Sequence, residues 1–418
     1  MTGQTLHIRN ARLIDPANGL DRQLDLYIVD GHIATIGQAP QGFPHARTID
    51  ADGLIACPGL VDLSTRLGAI EPELGAAVAG GVTSVACPPD TRPPLDEPGL
   101  VERLVRRTDT LGLARVYPIG ALTQRLDGQK LAEMNALTRA GCIAFSQAKQ
   151  SIVDTRLLLR AMQYAATFGY PVRLRPQDQF LAGDGVAHDG EVAARLGLSG
   201  IPTAAETVAV TTALLLARET GVRLHLSRLS SAAGVALVQH ARQSGLPVTC
   251  DVSIYHLHLS EADIGYFDSN SRFDPPLRSL SDREALRQAA RLGVAAICSD
   301  HTPVDADGKQ LPFGEALPGA SALELLLPLT LQWAAECALP LVSALARITC
   351  DPAAILGIAG GSMRVGSAAD LCLFDPVETW QVTADTLRSQ GKNTPYLGRQ
   401  VTGRVRMTLV GGRIVYQR

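Results

Sequence analysis

The sequence predicts a TIM-type (β/α)8 barrel carrying a small β-sandwich built from both chain ends. Two observations lead there. Short apolar runs alternate with helical stretches through the middle of the chain, and strand–turn–strand patterns occur at both termini. Strand–helix alternation at roughly 30–50 residues argues for a parallel sheet covered by helices, and eight such units close a barrel.

The N-terminal run from Met1 to Pro16 alternates polar and apolar residues and reads as a strand. Asp25–Val29 and Ile33–Gly37 flank Asp30-Gly31, a strong hairpin signal. At the other end, Asp370–Phe374 reads as a strand and Arg406–Val410, Gly411-Gly412 and Arg413–Tyr416 as a hairpin. Between them lie the strand candidates Gly81–Cys87, Val116–Ile119, Gly141–Phe145, Val172–Leu174, Arg223–Leu226, Pro247–Val252 and Val294–Ser299, with Ile55–Val61 as the first. Helices are expected at Thr155–Phe168, Ala205–Thr220, Ala232–Ser244 and Asp282–Leu292. The expected division is residues 1–55 and 358–418 for the β domain and 56–357 for the barrel.

Composition narrows the function classes. Of 418 residues, 46% are hydrophobic and 19% charged, enough to bury a large core. A net charge of −3 gives no bulk attraction to nucleic acid or to an anionic membrane. The apolar stretch Ala322–Cys337 is broken by Glu324 and reads as a buried helix, not a membrane span. The eight cysteines form no CxxC pair and several lie in strand-like runs, which fits small apolar residues in a reducing cytoplasm. Gly360-Gly361-Ser362 lacks the Lys-Ser/Thr of a phosphate loop, and no Gly-x-Ser-x-Gly occurs. Arg103, Arg106 and Arg107 fall at helical spacing, where a solvated face is the default.

Several longer motifs occur in a fixed order: Pro58-Gly59-Leu60-Val61-Asp62, Gly80-Gly81-Val82-Thr83-Ser84, Gly190–Gly197, Gly200-Ile201-Pro202 through Glu206-Thr207, Asp274–Arg278, Ser299–Pro303 and Lys392–Tyr396. Together they resemble the dihydroorotases of the amidohydrolase superfamily over nearly the whole chain. That resemblance implies a particular chemistry. Opening a cyclic amide takes a nucleophile strong at neutral pH, which zinc supplies by acidifying bound water. Histidines and carboxylates at strand ends hold the metal, and a final aspartate handles the proton.

This chain departs from that pattern where the metal would bind. The family's His-x-His corresponds to Ser64 and Arg66, its bridging residue to Gln147 or Ala148, and its two later histidines to Arg175 and Arg228; only the aspartate survives, as Asp300. Arginine stays protonated and cannot ligate zinc. Lys149, close to the bridging position, reads as a solvated lysine without histidine partners. Substrate-gripping positions are altered too: the family's arginine corresponds to Gly68, and its asparagines to Asp90 and Asp274, charges that would repel an anionic substrate. His256 and His301 remain as vestiges, and His225 reads as a packed, hydrogen-bonded histidine.

The resemblance is closest to inactive dihydroorotase-like chains that assemble with aspartate carbamoyltransferase. It implies a cytoplasmic structural or regulatory subunit, present in several copies within a larger complex, without zinc or another cofactor and without nucleic-acid or membrane partners. The alternative is a cyclic amidase with a metal-free or single-metal site carried by Asp300 and His256. Arg66, Arg175 and Arg228 are expected to converge at the barrel mouth, with Asp300 paired to at least one of them. Any surplus positive charge there would favour a small anion.

Overall fold

A computed structural model describes residues 5–43 and 46–418 of the chain. The first four residues of the N-terminal run read as strand lie outside them.

The eight barrel strands are Leu60–Asp62 (β1), Val82–Cys87 (β2), Arg115–Ala121 (β3), Ala144–Ser146 (β4), Val172–Leu174 (β5), Leu224–Leu226 (β6), Val248–Ser253 (β7) and Ala295–Cys298 (β8). They form one parallel sheet in chain order. The seam between β8 and β1 closes at two levels. Near the mouth, Thr65 bridges His301; further down, the carbonyls of Arg347 and Ile348 accept from Ile297 N and Val61 N at 3.1 and 2.9 Å. Inside, Val61, Ala86, Ile119, Ala144 and Ala296 pack against Ala353 and Leu356 of helix Cys350–Leu356. The interior there is filled by side chains, as in barrels of this kind.

The chain ends make two further sheets. One has six strands and pairs Arg12–Asp15 and Ile55–Pro58 with the C-terminal strands Leu371–Gln381, Gln400–Val410 and Arg413–Gln417. The other has four, all from the first 50 residues. Leu6, Ile8, Leu26 and Ile28 from the small sheet share one buried cluster with Leu13, Leu371, Leu373 and Leu409 from the large one.

One expected element divides. Ile55–Val61 is not a single strand: Ile55–Pro58 belongs to the six-stranded sheet and only Leu60–Asp62 to the barrel. Gly59 is the bend between them. Its N–H donates to Asp370 O at 2.9 Å, and a Cβ there would come within 2.1 Å of Thr83 Oγ1. Only glycine lets the chain pass that close to β2. The expected helices are present as Thr155–Thr167, Thr203–Thr220, Ala232–Gln243 and Leu280–Arg291, three of them started by Asp154, Ser231 and Ser279 side chains that accept from first-turn N–H groups. The stretch from Ala322 forms a short 3-10 turn running into helix Leu326–Glu336, with Trp333 fully buried. Among the described residues no helix is long and apolar enough to cross a membrane. All eight cysteines are free.

Candidate functional site at the barrel mouth

The positions singled out in the sequence follow the C-terminal ends of strands, where barrels of this fold place their chemistry. Arg66 follows β1, Asp90 follows β2, Arg175 follows β5, Arg228 follows β6, Asp274 lies in the loop after β7 and Asp300 follows β8.

The three arginines converge, and each meets a carboxylate. Arg228 Nη1 donates to Asp300 Oδ1 at 3.0 Å and to the Asp274 carbonyl at 3.3 Å. Arg66 Nε donates to Asp90 Oδ2 at 3.0 Å, and its Nη1 reaches Thr302 Oγ1 at 3.0 Å and Asp300 Oδ1 at 3.5 Å. Arg175 pairs with Asp274 and donates to Gln177 Oε1 at 2.6 Å. Asp300 thus joins two arginines, as the charge argument expects. The positive surplus foreseen for this floor is cancelled, because Asp90 and Asp274 both reach it. Their charges, read from the sequence as repelling a substrate, serve to hold arginines.

Burial makes this lattice matter energetically. Side-chain exposure is 3% for Arg175, 6% for Arg228 and 7% for Asp300. Burial disfavours the Arg228 cation, yet Asp300 and Asp274 overcome it and hold its proton more tightly than in free arginine. For Asp274, burial is outweighed by Arg175, Arg228, Arg272 and Arg66, which push its carboxyl below the usual range. Asp300 and Arg228 also keep left-handed backbones, with φ of 51° and 59°. Such conformations cost non-glycine residues energy and persist where the surroundings enforce them.

The remaining positions do other work. Gln147 is buried and bonded to Thr123 Oγ1 at 2.8 Å through its amide nitrogen. Ala148 is buried with φ of 53°, and its N–H donates to Ser146 Oγ at 3.0 Å. Ser64 contributes its carbonyl, which accepts from His301 N at 3.1 Å. Gly68 has ordinary backbone and open space; a Cβ there would meet only Pro303, at 3.9 Å. Packing therefore makes no demand for glycine at this position.

The vestigial histidines are not brought together with Asp300. His256 turns to the Pro276 carbonyl at 3.2 Å, and burial pushes its proton affinity down. His301 Nδ1 accepts from Ala322 N at 3.0 Å. Its Nε2 donates to buried Glu73 at 2.8 Å, and Glu73 also accepts from Ser389 Oγ at 2.6 Å. His301 therefore pins the barrel seam to helix Ile70–Ala79 and to the C-terminal segment.

Sequence reading missed a second polar layer inside the barrel. Asp251 of β7 accepts from His225 Nε2 at 2.7 Å and Arg228 N at 2.8 Å, and Arg173 of β5 lies 3.8 Å from it. Asp62 accepts from Ser299 N at 2.6 Å. The available signal was a charge within an otherwise apolar strand, at Arg173 and Asp251.

Two residues of the motifs read from the sequence, Glu206 and Asn393, fix loops. Glu206 accepts from the N–H groups of Ser230 and Ser231 at 2.9 and 3.0 Å. Asn393 accepts from Val304 N and donates to Gly319 O, both at 2.9 Å. Asp178, at the end of the altered fifth-strand motif, caps helix Gln179–Ala182.

This donor set does not fit zinc. The groups that converge are guanidinium cations already matched to carboxylates, and among the described residues no cluster of three or more His, Cys, Asp or Glu is placed to hold a metal ion.

Comparison with known proteins gives the family. Residues 53–233 match the Dihydro-orotase-like model and residues 183–415 the Amidohydrolase family model. A dihydroorotase-like protein of Pseudomonas aeruginosa is 47% identical, covering 99% of this chain and 100% of the relative. A dihydroorotase of Geobacter sp. (strain M21) is 38% identical, covering 99% of each. Among solved structures, the L-hydantoinase (dihydropyrimidinase) of Arthrobacter aurescens superposes with a TM-score of 0.87 at 25% identity, covering 100% of this chain and 96% of that one. The chain belongs to the dihydroorotase-like members of the amidohydrolase family.

Proposed function

We propose that this chain does not hydrolyse dihydroorotate and serves as a structural or regulatory subunit of aspartate carbamoyltransferase in pyrimidine biosynthesis. One observation carries the first half: the positions that would ligate metal hold Arg66, Arg175 and Arg228, each paired with Asp90, Asp274 or Asp300. A guanidinium offers no lone pair to a metal. Asp300 accepts from both Arg228 and Arg66, so its Oδ1 is already engaged by two guanidiniums. The second half rests on the family resemblance and on the division between retained and lost residues. Loop-fixing contacts such as Glu206–Ser230 and Asn393–Val304 persist while ligand positions do not. A fold maintained without its ancestral chemistry is suited to holding another protein.

Co-expression with an aspartate carbamoyltransferase catalytic chain, followed by size-exclusion chromatography, tests the partner. One shared peak is expected at micromolar concentration, with an interface of at least about 1,000 Å2. Two separate peaks would count against the assembly.

A further inference from the structure

The barrel mouth opens into a cavity of about 1080 Å3 whose outer rim differs from its floor. On the floor, Arg66 pairs with Asp90 and Arg228 with Asp300, while the Asp274 carboxylate is taken by Arg175. On the rim stand Arg92, Arg103, Arg107, Arg125 and Lys149, all exposed. Among the described residues, none of these five has a carboxylate within 4.0 Å of its charged nitrogens, and no side-chain hydrogen bond engages them. The remaining acid of the lining, Asp305, is committed to capping helix Ala306–Gln310 by accepting from Gly308 N at 2.8 Å. The lining carries seven basic and four acidic side chains, an excess of three positive charges in a concave space.

Two features of the backbone shape the rim. Arg103 and Arg107 lie one helical turn apart on Pro98–Leu111 and both line the cavity, whereas Arg106 does not. Like charges at that spacing repel each other unless an anion lies between them. Arg125 has a left-handed backbone with φ of 55°, and its N–H is fixed by Asp96 Oδ2 at 2.7 Å. The carboxylate grips the main chain and leaves the guanidinium free. Behind the rim, Leu95, Leu104 and Leu126 give the cavity an apolar wall.

From the cavity and its unmatched rim we infer a binding site for a small phosphorylated organic molecule carrying at least two negative charges. Four of the five rim cations are arginines, whose planar fork matches phosphate oxygens two at a time. The apolar wall takes the organic part, and the concavity favours a small molecule over a protein surface. The site goes beyond the subunit reading and stands whether or not the chain hydrolyses anything.

Isothermal titration of the full chain with tripolyphosphate and pyrophosphate, at low salt and again at physiological salt, tests the inference; citrate serves as the polycarboxylate arm. Saturable tripolyphosphate binding that weakens with salt is expected. The double variant R103A/R107A should lose roughly tenfold or more in affinity, while R106A, on the same helix but outside the cavity, binds as the parent does. Absence of tripolyphosphate binding at millimolar concentration would overturn the site, as would equal losses in R106A and the double variant. Citrate binding tighter than either phosphate probe would overturn the ligand class.

Discussion

The floor and the rim of the barrel mouth use the same residue type to opposite ends. On the floor, Arg66, Arg175 and Arg228 are largely buried, and each is fastened to an aspartate. On the rim, Arg92, Arg103, Arg107 and Arg125 are exposed and, among the described residues, pair with no carboxylate. The difference follows from solvent. A buried cation without a partner is costly, so every floor arginine needs one; an exposed cation keeps its water and can wait for a ligand. Floor arginines are therefore part of the fold, and rim arginines are available for binding.

The largest expected effect comes from breaking one floor pair. Asp300→Ala leaves Arg228 buried without its closest partner and should destabilise the chain by roughly 3–5 kcal/mol in a denaturant titration. Replacing both residues, as Asp300→Leu with Arg228→Leu, should cost less than either single change, because no orphan charge remains. A double variant as unstable as the sum of the singles would mean that the pair is not the unit the structure shows.

Burial also couples titration to stability. His258 Nε2 donates to the Leu329 carbonyl at 2.9 Å, and burial lowers its pKa from 6.5 to about 4. His225 and His256 are lowered in the same direction, also by burial. The unfolded chain therefore takes up protons near pH 6.5 that the fold refuses until about pH 4. Stability should fall as pH drops through that window, by up to about 3 kcal/mol for His258. In His258→Gln the slope of unfolding free energy against pH should flatten there; an unchanged slope would remove this histidine from the account.

The smallest effects belong to the rim and to Gly68. Arg103→Ala should leave stability within about 0.5 kcal/mol, as exposed substitutions usually do. Gly68→Arg has room and ordinary backbone, so it too should be nearly neutral in thermal unfolding. A large loss in either would show that the rim is part of the packed structure.

The fold was legible because its signals are local. Val172–Leu174 is read at its exact ends, the helices to within two residues and the other barrel strands after β1 to within three, the run from Gly141 beginning only at Ala144, because apolar periodicity and turn residues mark them. The split at Gly59 was not, because Ile55–Val61 is apolar throughout and only the approach of Thr83 shows that the chain turns. In the site, charge balance pointed to the Asp300 pairing that the structure shows with Arg228 and Arg66. The layer of Arg173, Asp251 and Asp62 stayed hidden, because which face of a strand points inward depends on barrel closure. So did the rim: Arg103 and Arg107 look like any solvated helix face until the barrel turns that face toward the mouth.

A lattice of arginine–aspartate pairs occupies the barrel mouth, and the proposed function requires that it leave no working metal site there. The most direct measurement is metal analysis and a dihydroorotate ring-opening assay on the same full-length sample, expressed with ample zinc and then dialysed. The account predicts no stoichiometric zinc and no hydrolysis above the uncatalysed rate. Zinc retained at about one or two equivalents per chain, as in a true catalytic site, together with turnover, would contradict it.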